Sequence, residues 1–188
     1  MQALEAILTR VTVPPARMGP PGPDDAALRR MLAAAAAAPD HAKLRPWRFL
    51  VVRGEGREKL GELFAAGVQA ARPETSPAEI EKQRTAPLRA PLILIAISRA
   101  DPQHPKIPVW EQDASAACAV QNLLLAAHAM GFAGKWATGG PAAAPAVARG
   151  LDLGENERII GFIYLGSPTD RQKLPPRPAP EAIAGTWP

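Results

Sequence analysis

The 188 residues of this chain predict an α+β fold in which helices outnumber strands. Three observations carry that reading. Leu92-Ile93-Leu94-Ile95-Ala96-Ile97 is an uninterrupted apolar run of strand length, as expected for a central strand covered on both faces. From Gln112 to Met130 apolar residues recur at helical spacing, with Ala116, Ala119, Val120, Leu123, Leu124, Ala127 and Met130 forming one broad surface. The elements between them show neither a regular βαβ alternation nor an internal repeat. A hydrophobic content of 47% against 21% charged residues suits one substantial core, so residues 1–188 read as a single domain.

The elements follow in order. Met1 to Arg10 reads as a short amphipathic helix with an early acidic residue, Glu5, unlike a charged-then-apolar signal sequence. Residues 13–23 are a proline-rich connection ending at Asp24, a good N-cap for a helix running to about Ala38. The second half of that helix, Ala33 to Ala38, has high helix propensity and little bulk, so another helix or a flat ligand can approach its backbone. Phe49 to Val52 predicts a buried strand, closed by the turn Gly54-Glu55-Gly56. Arg57 to Arg72 and Pro77 to about Ala86 read as helices. The helix from Gln112 would span about 28 Å at the usual rise per residue, enough to cross a small domain. Gly131 stops it, Phe132 to Thr138 forms a short strand, and Pro141 fits the first turn of another helix. Arg158 to Gly166 is the last strand. Residues 167–188 hold six prolines and little periodicity, so they predict an arm that is either disordered or laid across a partner subunit.

Composition narrows the function. A net charge of +4 and a pI near 9.6 favour anionic ligands, yet Lys and Arg are scattered and aromatics make up only 5%. That argues against nucleic acid and points toward phosphates on small molecules. No stretch approaches the roughly 18 apolar residues of a membrane span. The single Cys118 forbids an intrachain disulfide framework and suits the reducing cytoplasm; its apolar neighbours predict a buried, inert thiol. His41, His104 and His128 lie too far apart for ordinary zinc spacings, so no metal is expected. There is no nucleophile elbow, P-loop or dinucleotide fingerprint. Glu111 and Asp113 open the long helix, where favourable placement near the positive end of its dipole accounts for them. An enzyme built this way would rely on a bound cofactor for its chemistry.

The segment from Ala38 to Val52 is the most informative. Pro39 ends the preceding helix and Pro46 biases Arg45 toward extended geometry, leaving Asp40, His41, Lys43 and Arg45 on a stiffened loop suited to recognition.

Four segments together resemble the nitroreductase family, most closely its small YdjA-like branch of NAD(P)H nitroreductases. They are Ala3-Leu4 through Arg10-Val11-Thr12; Ala38-Pro39-Asp40-His41 with Pro46-Trp47-Arg48-Phe49; Trp110-Glu111-Gln112 through Gly131-Phe132, with Trp136 to Gly139; and Ile160-Gly161-Phe162-Ile163-Tyr164-Leu165-Gly166-Ser167-Pro168. The resemblance implies a central mixed sheet flanked by helices, in a homodimer binding FMN at the subunit interface, with residues 167–188 as an arm over the partner. It places Arg10, Val11 and Thr12 at the flavin phosphate and ribityl chain, Ala37 near the cofactor, His41 at the flavin of the opposite subunit, and Trp136, Ala137 and Thr138 around the pocket. Ala126, Ala127, His128, Ala129, Met130 and Gly131 become a candidate segment for nicotinamide. The YdjA-like pattern usually has arginine where this chain has Val11, Ala37 and Ala137, with Lys135, Arg45 and Lys43 as nearby candidates to compensate. The function implied is a cytoplasmic FMN-dependent oxidoreductase, taking hydride from NADH or NADPH and reducing nitroaromatics, quinones or similar electron-poor acceptors. The flavin, rather than a side chain, would carry the chemistry. The alternative is a non-catalytic or specialised dimer that binds flavin weakly or holds another anionic ligand.

Overall fold

A computed structural model of the chain describes residues 1–187, and its helices and strands follow the apolar pattern closely. The helices are α1 (Ala3–Thr9), α2 (Asp25–Ala36), α3 (Gly56–Ala71), α4 (Pro77–Thr85), α5 (Val109–Ala129), α6 (Gly139–Ala143) and α7 (Pro145–Gly150). The strands are β1 (Met18–Gly19), β2 (Trp47–Val52), β3 (Leu92–Arg99), β4 (Ala133–Ala137) and β5 (Glu157–Pro168).

Pairing runs β2-β3-β5-β4, with β1 joined to the far end of β5, and every pair among the described residues is antiparallel. The expected mixed sheet is therefore corrected. β2 and β3 are linked by two helices that pack on each other, which returns the chain to the end it left. β3 and β4 are linked by the single helix α5 and do run parallel, but β5 lies between them.

β3 divides the core by simple alternation. Leu92, Leu94 and Ala96 face α2 and α5, packing with Met31, Ala35, Ala119, Val120 and Leu123. Ile93, Ile95 and Ile97 face the other layer, with Leu60 and Phe64 of α3 and Val147 of α7. The small residues of α2 allow the close approach expected of them: Asn122 Nδ2 on α5 donates to the carbonyl of Ala34 at 3.2 Å.

The caps are where the sequence puts them. The Asp24 carboxylate accepts from the Ala27 amide at 2.7 Å, and Gly131 ends α5 with φ +85. β2 differs from expectation, being only half-buried with Val51 47% exposed, because it is an edge strand paired with β3 alone. Cys118 also differs: it is exposed, since it falls on the outer face of α5 along with Ala114.

Candidate functional site

At Arg10 the chain leaves α1 in extended geometry and runs beside β4, where the Val13 amide donates to the Gly134 carbonyl at 3.2 Å. This places Arg10, Val11 and Thr12 on the wall of a cavity of about 600 Å³. The opposite wall is the start of the C-terminal arm. Five cationic side chains line the cavity, Arg10, Arg17, Arg171, Lys173 and Arg177, and no carboxylate is among its lining residues. The arm is held in place by its own bonds: the Thr169 amide donates to the Arg17 carbonyl at 3.1 Å, Arg17 Nε donates to Asp170 at 2.9 Å, and an Arg177 guanidinium N–H donates to the Arg10 carbonyl at 2.7 Å. Burial, and secondarily the like charge of Arg177, push the Arg10 guanidinium below its usual value. A half-buried guanidinium with further cations gathered round it is an arrangement suited to an anion such as a phosphate monoester.

A second cavity of about 410 Å³ adjoins the first, sharing Arg10, Val11, Arg171 and Gln172. Of the six residues suggested for nicotinamide, His128 and Gly131 line it, while Ala127 is core and Ala126 and Met130 pack against that core. Ala129 is exposed. The Thr9 hydroxyl donates to the Glu5 carbonyl at 2.7 Å, so its oxygen accepts from His128 Nε2 at 2.9 Å and that nitrogen carries the proton. Burial, followed by the charge of Arg10, lowers the His128 pKa and favours this neutral form.

Trp136 is half-buried on β4, its indole N–H donating to the Ile160 carbonyl at 3.0 Å. A Cβ on Gly161 would stand 2.2 Å from that indole nitrogen, so the glycine makes room for the ring. Ala137 and Thr138 lie on a smaller hollow of about 230 Å³, beside Gly139, Gly140, Phe162 and Tyr164.

Ala37 and His41 border neither the cationic cavity nor this hollow. Ala37 is the exposed C-cap of α2. His41 opens a single 3₁₀ turn, in a loop where Ala42, Lys43 and Arg45 all have left-handed φ values of 59, 59 and 49°. For residues other than glycine such geometry carries a cost, and here it is held by the Asp40 carboxylate accepting from the Arg45 amide at 2.8 Å. His41 Nδ1 lies 2.9 Å from the Glu111 carboxylate in the first turn of α5.

Within one chain, then, Arg10, Val11 and Thr12 meet, Ala137 and Thr138 meet elsewhere, and His41 stands apart. Lys135, Lys43 and Arg45 do not line the cationic cavity; the arm supplies its charge instead. Arg171 and Lys173 were legible in principle, because residues two apart on an extended chain share a face. Glu111 was read as serving the helix dipole alone, and its His41 contact depends on a loop the sequence could not fold.

The family model described as "Nitroreductase family" matches residues 19–167. The Escherichia coli protein named "Putative NAD(P)H nitroreductase YdjA" is 39% identical over 168 residues, 89% of each chain. A crystal structure of a nitroreductase-like family protein from Bacillus cereus superposes with a TM-score of 0.85 at 22% identity, covering 100% of this chain and 96% of that one. A nitroreductase with bound FMN from Bacteroides fragilis gives 0.74 at 23% identity, covering 100% and 99%. This chain belongs to the nitroreductase family.

Proposed function

We propose that this chain is an FMN-dependent oxidoreductase that takes electrons from NADH or NADPH and passes them to nitroaromatic, quinone or similar electron-poor acceptors. The observation that carries the reading is the cationic cavity at Arg10. Its charge suits the flavin phosphate, with Arg10, Arg171 and Lys173 as forked or point donors and the Thr12 hydroxyl beside them. The arm's cations would offset the arginine replaced by Val11 on the same wall, whereas Ala37 and Ala137 do not line that cavity. When bound, the flavin supplies a two-electron store that accepts hydride from one substrate and releases it to another.

The chain's own residues bind and orient. By the family resemblance Trp136, Ala137 and Thr138 would complete the flavin pocket, Ala137 and Thr138 from the hollow they share and Trp136 from the opposite face of β4. The lobe at His128 and Gly131 offers a mostly apolar compartment beside the phosphate site, suited to part of the dinucleotide donor. Because Ala37 and His41 do not line the Arg10 cavity, they would serve the flavin of a second subunit, which makes the working form a homodimer. The arm, residues 167–188, would lie at or across that interface.

Visible absorption of purified protein, before and after addition of FMN and gel filtration, tests the reading. A retained flavin spectrum bleached by NADH or NADPH is the expected result. A colourless protein that releases all added FMN would instead favour a specialised relative in which three lost arginines outweigh the arm.

A further inference from the structure

His41, Glu111 and Trp110 border an open hollow of about 240 Å³ remote from the cationic cavity. Trp110 is 69% exposed, a large indole that its own chain leaves uncovered. His41 sits in the strained loop described above, with its ring fixed at one end only. An ionised carboxylate can accept but not donate, so Glu111 takes the Nδ1–H of His41. Among the described residues no partner meets Nε2. A carboxylate on one ring nitrogen and an open second nitrogen is the arrangement by which an imidazole is oriented for proton transfer.

We infer that Glu111 is a positioning residue that holds His41 as the proton donor to the electron acceptor, with the Trp110 indole as a flat wall for it. The inference rests on the oxidoreductase reading above. A quinone becomes a hydroquinone by gaining one hydride and one proton. The hydride, which carries both electrons, would come from the flavin held by a second subunit. The proton leaves His41 Nε2, after which the ring is neutral, keeps its Nδ1–H on Glu111, and is reprotonated from solvent. Asp40 and Glu111 are the carboxylates beside this imidazole, and Lys43 and Arg45 the cations on the same loop. Asp40 is engaged with the Arg45 amide, leaving Glu111 as the group that sets the ring.

Two measurements test it. Long-range ¹H–¹⁵N NMR of the full chain as purified reads the His41 tautomer without any turnover. The Nδ1–H form should dominate in the unaltered protein and in Glu111→Gln, which still accepts that bond, whereas Glu111→Ala should revert to the Nε2–H form favoured by an unpartnered histidine side chain. In the FMN-loaded protein, turnover with benzoquinone is compared with turnover with ferricyanide, a one-electron acceptor that takes no proton. The quinone-to-ferricyanide ratio should fall about tenfold to a hundredfold in Glu111→Ala and partly recover in Glu111→Gln. An unchanged tautomer in Glu111→Ala, or equal losses with both acceptors, overturns the proton-donor role while leaving the oxidoreductase reading intact. Failure of the unaltered protein to reduce ferricyanide overturns both.

Discussion

Single side chains decide how tightly the cationic cavity holds an anion. Arg171→Ala and Lys173→Ala each remove one charged hydrogen bond, worth about 1.5–3 kcal/mol, so each should weaken FMN binding about tenfold to a hundredfold in a fluorescence titration. Val11→Arg, which adds a cation to the same wall, should tighten it. A different residue governs acid stability. Arg48 grips both oxygens of Glu157 at 2.6 Å and holds its carboxyl down to about 2. Since this lies below the ordinary 4.5, the pair stabilises the fold above that pH, and the contribution is lost as pH falls from 4.5 toward 2. Glu157→Gln should cost about 1–3 kcal/mol at pH 7 in denaturant unfolding, with the gap to the unaltered protein closing toward pH 2. At this scale the sequence showed which residue types were present but not their partners. Arg10 and Thr12 could be singled out from their neighbours along the chain, whereas Arg177 reaches Arg10 across 167 positions.

Among the elements, packing distances set the tolerances. Gly61 of α3 lies so close to α4 that an added Cβ would meet the Arg84 carbonyl at 2.0 Å. That obstacle is backbone and cannot rotate away, so Gly61→Ala should lower stability by about 3 kcal/mol, the upper end of ordinary overpacking, measured by urea denaturation. Ala33→Gly, on an exposed face of α2, should cost only about 1 kcal/mol. β3 could be read from sequence because burial on both faces leaves an unbroken apolar run. β2 shares that composition but lies at an edge, and no periodicity separates the two cases. β1, with two residues, and α7, with six, are too short to show a period at all. The direction of β4 and β5 depends on how many helices lie in each crossover and on which strand lies between β3 and β4; the sequence predicts one helix after β4 where the fold has two, α6 and α7, and it does not place β5 between the other strands.

Over the whole molecule, the arm connects binding to architecture. Its residues 173–187 are exposed and belong to no strand. Ending the chain at Asp170 should therefore leave the melting temperature within a few degrees while abolishing retention of FMN through gel filtration, because three of the five cations of the cavity depart together. The order of the strands has a further consequence. β5 pairs with β1, β3 and β4, yet it is the last strand of the chain. During synthesis, at about 5–20 residues per second, roughly 3–12 seconds separate the appearance of β3 from that of its central partner. For that interval the most apolar strand of the protein has a bare edge, the kind of unpaired template on which other chains add and which holding chaperones cover.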